Sequence, residues 1–127
     1  MINTIVAIAT GGALGALARY GTGLGIAKIA PSSFPYATLC VNVIGSFAMG
    51  MLVAFFLSTG QISNEIKMFL TLGFLGSFTT FSTFSYDTMS LWTRGDIMPA
   101  LGYVAASVIL SIGAVFLGAF ITWKLIP

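Results

Sequence analysis

The sequence has 127 residues, of which 57% are hydrophobic and only 6% charged, with a formal net charge of +2. Soluble domains carry about 25% charged residues, so this chain lacks the polar side chains needed to cover a water-facing surface. The reading is an all-α integral membrane protein of one domain, residues 1–127, with membrane lipid as its solvent.

Further absences narrow the class. The five basic residues are scattered, which excludes nucleic acid as a partner. There is no histidine, so the usual proton shuttle and the commonest metal ligand are missing. No nucleophile–base pair can be assembled, and an enzyme is not expected. Cys40 is the single cysteine and reads as a small buried hydrophobe. The first residues carry no basic stretch ahead of the apolar run, which argues against a cleaved signal peptide.

Crossing the hydrocarbon takes about 20 helical residues, and charge-free runs supply four candidates. The first spans about Ile2 to Gly25, with a Gly11-x-x-x-Gly15 face suited to close helix contact and Arg19 near its end. Pro31-Ser32-Ser33-Phe34-Pro35 is a loop, with Pro35 suited to a first helical turn. The second spans about Tyr36 to Ser58 and is stopped by Gly60. Ser63 caps a third, with Glu65 in its first turn, which runs to Trp92 and stops at Gly95. Asp96 is placed to cap the fourth, about Ile97 to Trp123.

The third element is long for one crossing and contains Gly73-Phe74-Leu75-Gly76-Ser77-Phe78-Thr79-Thr80-Phe81-Ser82-Thr83-Phe84-Ser85. Two glycines three apart, followed by paired threonines, invite a local break, because glycine is permissive and hydroxyls can rebond freed backbone groups. Phe78, Phe81 and Phe84 recur at a spacing of three. We therefore expect the third helix to be broken near its middle.

Polar residues elsewhere fall in register. Thr38, Asn42 and Ser46 recur every four residues, as do Tyr103, Ser107 and Ser111, so each set makes one stripe along a helix. A single serine or threonine most often bonds its own helix, but an amide such as Asn42 needs a partner in lipid. Two stripes beside the hydroxyl-rich run, Ser82 and Thr83 included, suggest a lined pathway. Arg19 reads first as a snorkelling interface residue, with attraction of anions into a vestibule as the functional alternative. Asp87 is open between a polar end marker and a partner for a basic group.

Four spans put Lys67 and Lys124 on one side and Arg19, Lys28 and Arg94 on the other. Orientation follows a bias of basic residues, and here there is almost none. Insertion in both directions, and an antiparallel homodimer, become plausible.

The Gly/Thr/Phe run closely resembles the signature of the Fluc (CrcB) fluoride channels, and Val41-Asn42-Val43-Ile44-Gly45 and Arg19 extend the resemblance along the whole chain. It implies a dual-topology homodimer in the cell (inner or plasma) membrane that lets toxic fluoride leak passively from the cytoplasm. It assigns the Phe box to Phe81 and Phe84, the pore asparagine to Asn42, and a hydroxyl track to Tyr103, Ser107 and Ser111. It also implies a structural sodium ion at the dimer centre, held by the backbone carbonyls of Gly76 and Thr79 from both subunits. Ser77 stands where many members have glycine, and Asp87 where glutamate is common. The alternative is a small dual-topology multidrug or cation exporter, which wants a membrane-embedded carboxylate in its first span, where this chain has Arg19.

Overall fold

The structure, a computed structural model, describes residues 1–126. It is all helical among these residues: α1 (Ile2–Ala27), α2 (Tyr36–Thr59), α3 (Asn64–Met68), a π-helical segment (Phe69–Leu75), α4 (Gly76–Phe78), α5 (Phe81–Thr93) and α6 (Ile97–Leu125). α1, α2 and α6 are long and apolar enough to cross a membrane. The stretch from α3 to α5 is one bent helix assembled from shorter pieces. Much of the apolar surface is exposed, including Leu24, Ile109, Phe116 and Phe120, as expected where lipid is the solvent. The chain is a multi-pass membrane protein.

Local signals set most of the ends. Gly60 closes α2 at φ 68° and Gly95 turns the chain before α6 at φ 87°, both left-handed values that glycine adopts without strain. The Ser63 hydroxyl accepts from the Ile66 N–H at 3.4 Å, with Glu65 in the first turn. Pro35 stands one place earlier than the first-turn position, at the N-cap of α2. The expected cap at Asp96 is not made. Asp96 occupies the N-cap position of α6, but its carboxylate is taken by the Arg94 guanidinium at 2.9 Å. A charged fork competes better for that oxygen than a backbone N–H does.

Two helix pairs make the framework. α2 lies along α6, and α1 lies along the π-helical segment and α4. The glycines account for how closely they lie. A Cβ at Gly118 would meet the Phe47 carbonyl, and one at Gly15 would meet the Phe74 carbonyl, so backbone touches backbone at both crossings. The Gly11/Gly15 face is therefore used within the chain, against the bent helix. α5 closes over α6, where Phe84, Leu91, Ala100 and Tyr103 form a buried cluster.

The break falls at the threonines and spares the glycines. Gly73 and Gly76 both keep helical geometry, while Thr79 (φ −85°, ψ 159°) and Thr80 (φ −155°, ψ 118°) are extended. β-branched residues favour extended backbone, and here one hydroxyl doubles a helical bond that is kept while the other replaces one that is lost. Thr79 Oγ1 donates to the Leu75 carbonyl at 2.8 Å, and Thr80 Oγ1 accepts from the Thr83 N–H at 3.1 Å, capping α5.

Candidate ion-path site

Asn42 on α2 holds the break open. Its Nδ2 donates to the Thr80 carbonyl at 3.0 Å and its Oδ1 accepts from the Thr80 N–H at 2.7 Å. One side chain thus takes the Thr80 N–H, which has lost its helical partner at the break, and also bonds the Thr80 carbonyl. Because Oδ1 is fixed as acceptor and Nδ2 as donor, the second Nδ2 hydrogen is uncommitted.

That amide lines a cavity of about 320 Å³, together with Ser46, Thr80, Phe81, Phe84, Ser107 and Ser111. Among the described residues, the buried hydroxyls of Ser107 and Ser111 have no hydrogen-bond partner. A helical serine in an apolar setting ordinarily bonds its own backbone, as Thr122 does to Gly118 at 3.0 Å. Two that do not, one turn apart on one face, are donors held toward the cavity. Phe81 and Phe84 sit with ring centroids 5.5 Å apart and planes at 52°. Phe84 is buried at 9% exposure, whereas Phe81 is 79% exposed. Among the described residues, no charged side chain lines this cavity.

The remaining expected residues lie at its margins. Tyr103 is fully buried behind Phe84, with rings 5.2 Å apart, and its hydroxyl donates to Asp87 Oδ2 at 3.0 Å. Among the described residues Asp87 pairs with no basic group; its partner is the Tyr103 phenol. Arg19 and Thr83 line a second cavity of about 370 Å³ between α1, α2 and α5, with Tyr20, Thr38, Val41 and Thr80. Thr38 also reaches a third cavity, and Thr80 belongs to both the first and the second. Ser82 lies within 3.3 Å of the Thr80 hydroxyl. Gly76 is exposed in the single chain, and Thr79 lines the first cavity.

Ser46 carries the α2 stripe into the lining, and Thr80 joins it without having been assigned a site role from sequence. The signal for Thr80 was its place in the paired threonines after Gly76, and the structure makes it the N-cap of α5.

A family model described as CrcB-like protein, Camphor Resistance (CrcB), matches residues 6–119. The chain belongs to the CrcB family. It is 50% identical over 117 residues to a protein of Rhodospirillum centenum named fluoride-specific ion channel FluC, covering 92% of this chain and 93% of that one. A protein of Paracoccus denitrificans bearing the same name is 48% identical over 118 residues, 93% of each chain. A third, from Mesorhizobium japonicum, is 42% identical over 125 residues, 98% of this chain and 99% of its own. These relatives are named as ion channels, a class that is not enzymatic.

Proposed function

We propose that this protein is a passive, fluoride-selective channel that lets fluoride leave the cytoplasm across the cell membrane. The observation that carries the reading is the uncharged cavity into which Ser107 and Ser111 hold unpartnered hydroxyls beside the Asn42 amide. Fluoride is small and strongly hydrated, so it enters lipid-depth protein only where donors replace its water. Fixed hydroxyl and amide donors do so without a full positive charge that would trap it, and conduction needs both entry and release. Phe81 and Phe84 offer ring edges, the positive rim of the quadrupole, along the same path. Thr38, Ser82, Thr83 and Tyr103 continue the hydroxyls beyond the cavity, and Arg19 draws anions toward its mouth from the second cavity. A proton-coupled exporter is disfavoured because, among the described residues, no carboxylate lines the main cavity.

The channel is an antiparallel dual-topology homodimer in this reading. Balanced basic residues support it, as does Phe81, whose ring the single chain leaves 79% exposed. A sodium ion at the dimer centre fits the backbone. Thr80 N–H goes to Asn42 and Thr83 N–H to the Thr80 hydroxyl, so the Gly76 and Thr79 carbonyls lack the donors a continuous helix would give them. Such oxygens suit a hard cation, which would tie the two breaks together. Purified protein in fluoride-loaded liposomes should release fluoride to an external electrode once a potassium shunt is supplied, while chloride is retained. Equal chloride release, or release only under a proton gradient, would sink the proposal.

A further inference from the structure

The loop between α1 and α2 is fastened to the far end of α5. Arg94 donates from Nη2 to the Ser33 carbonyl at 2.9 Å, and from Nη2 and Nε to Asp96 Oδ2 at 2.9 and 3.2 Å. The carboxylate fixes the plane of the guanidinium, so its remaining donor edge is aimed at the loop. Ser33 and Pro35 face a third cavity, of about 270 Å³, which Asp87, Thr38 and Arg94 also line.

Phe34, between those two residues, turns its ring the other way. It meets Tyr103 edge-on, with centroids 5.5 Å apart and planes at 84°, and it is steadied by Tyr36 at 4.8 Å. Phe84 covers Tyr103 as well, at 5.2 Å. The tyrosine ring is thus held between two phenylalanines, and its hydroxyl is held by Asp87. Phe84 borders the hydroxyl-lined cavity, and Asp87 borders the third one. The three rings are a partition between two polar spaces.

We propose that Phe34 is a specificity-determining residue of the ion path, the third ring of this partition, and that Arg94 with Asp96 is the pair that positions it. The inference rests on the channel reading above. An anion moving on from Ser107 toward the third cavity must pass Tyr103. Tyr103 is fully buried among these rings, so an ion passes only as they part, and a small anion needs less parting than a larger one. Removing Phe34 takes away one wall, so Tyr103 can tilt toward the loop and larger anions pass.

Arg94 has a simpler rival role, attracting anions by its charge, and the two roles separate by sign. If charge attracts, Arg94→Gln lowers anion flux and Asp96→Asn raises it. If the pair is a buckle, the two substitutions act in the same direction, and the double variant goes no further than the single ones.

The experiment uses the full chain, in nanodiscs for amide exchange and in liposomes for flux, with size-exclusion profiles confirming assembly. In Arg94→Gln and Asp96→Asn, amides of residues 33–38 should exchange about threefold faster, the scale of a half-exposed ion-paired hydrogen bond, with the middle of α2 unchanged. The fluoride-to-chloride flux ratio should fall about tenfold in Phe34→Ala, in line with the loss of an aromatic pair, and recover in Phe34→Tyr. Phe34→Leu serves if the alanine variant does not assemble. Unchanged exchange in both charge variants overturns the buckle, and opposite flux changes overturn it in favour of attraction. An unchanged ratio in Phe34→Leu and Phe34→Ala overturns the partition. A wild-type protein that carries no fluoride fails the channel reading itself, and the two failures are told apart by that control.

Discussion

The two helix crossings that frame the hydroxyl-lined cavity are held by opposite means. Along α2 and α6, backbone meets backbone through glycines: Gly118 against the Phe47 carbonyl, and Gly50 against that of Val115. Nothing polar is asked of that contact, and α6 stays an unbroken 29-residue helix that carries Ser107 and Ser111 in fixed register. Where α2 meets the bent helix, a polar side chain does the holding: Asn42 takes the Thr80 N–H and also bonds the Thr80 carbonyl. The same helix is therefore a rail on one face and a clamp on the other. Packing fixes where the donors stand, and hydrogen bonding keeps the break open in front of them. The two should fail differently.

The largest effect is expected at the clamp. Asn42→Ala strands the Thr80 N–H and removes one bond from the Thr80 carbonyl, which should lower stability by about 3 kcal/mol and abolish fluoride flux. Asn42→Asp keeps the acceptor for the Thr80 N–H and loses the donor, so it should unfold at a temperature between those of wild type and the alanine variant, with flux still lost. Thermal unfolding in detergent, paired with liposome flux, checks both. An alanine variant as stable as wild type would show that the break does not depend on Asn42.

Next comes the rail. Gly118→Leu forces a side chain into the Phe47 carbonyl and should lower stability by about 3 kcal/mol by overpacking. Protein that still assembles should conduct less because the serine row is displaced, and the loss should follow the fraction folded at each temperature. Flux that vanishes while the melting temperature stays put would place the glycine in the path and not in the packing.

The phenylalanines offer a finer contrast. Phe78 is buried and stacked on Phe74, with centroids 6.1 Å apart, and it lies outside the first cavity that Phe81 and Phe84 line. Phe78→Leu should cost about 1 kcal/mol and leave flux within twofold of wild type. Phe84→Ile should cost a similar amount and cut flux by about a hundredfold or more, because the ring edge is lost along with the packing. Comparable flux losses in the two would mean that the assignment of the aromatic pair is misplaced.

The smallest change in stability is expected where function should still suffer. Ser107→Ala removes a buried hydroxyl that has no partner, so folding should be unaffected or improved by about 1 kcal/mol. Flux should nevertheless fall about tenfold, the scale of one lost donor. A drop in stability would show that the hydroxyl is bonded within the fold and not held for an ion.

The parts of this fold that the sequence announced are those set by neighbours in the chain. Gly60 and Gly95 stop helices because the next few residues need a left-handed turn, and Ser63 caps because the N–H it serves is three residues away. The four-residue stripes put Asn42 and Ser46, and Ser107 and Ser111, on the faces that line the first cavity. Asp96 shows where local reading fails: its capping role is lost to Arg94, two residues back, whose guanidinium is also drawn to Ser33. The clamp was out of reach for a stronger reason. Asn42 and Thr80 are 38 residues apart, and nothing near either says which backbone group the amide will take. With that partner unknown, the glycines and the paired threonines stood together as the weak point of the third helix, and of the two the threonines are where it opens. The π-helical segment had no signal either, since Phe69–Leu75 reads like any apolar helix.

That segment has a consequence for how the chain can change length. A π-helical turn holds more residues than an α-helical one and closes its hydrogen bonds one residue later. It is an α-helix into which an additional residue has been fitted while the flanking turns stay in place. Elsewhere in the bundle, deleting one residue would turn everything beyond it by about 100° and draw it back by about 1.5 Å, carrying the serines or the phenylalanines off their face. Between Met68 and Gly76 the helix has slack, and a one-residue deletion there can be absorbed by reversion to ordinary α-helix. Length variation that this architecture tolerates should gather in that short stretch, upstream of the break and away from the hydroxyl-lined cavity.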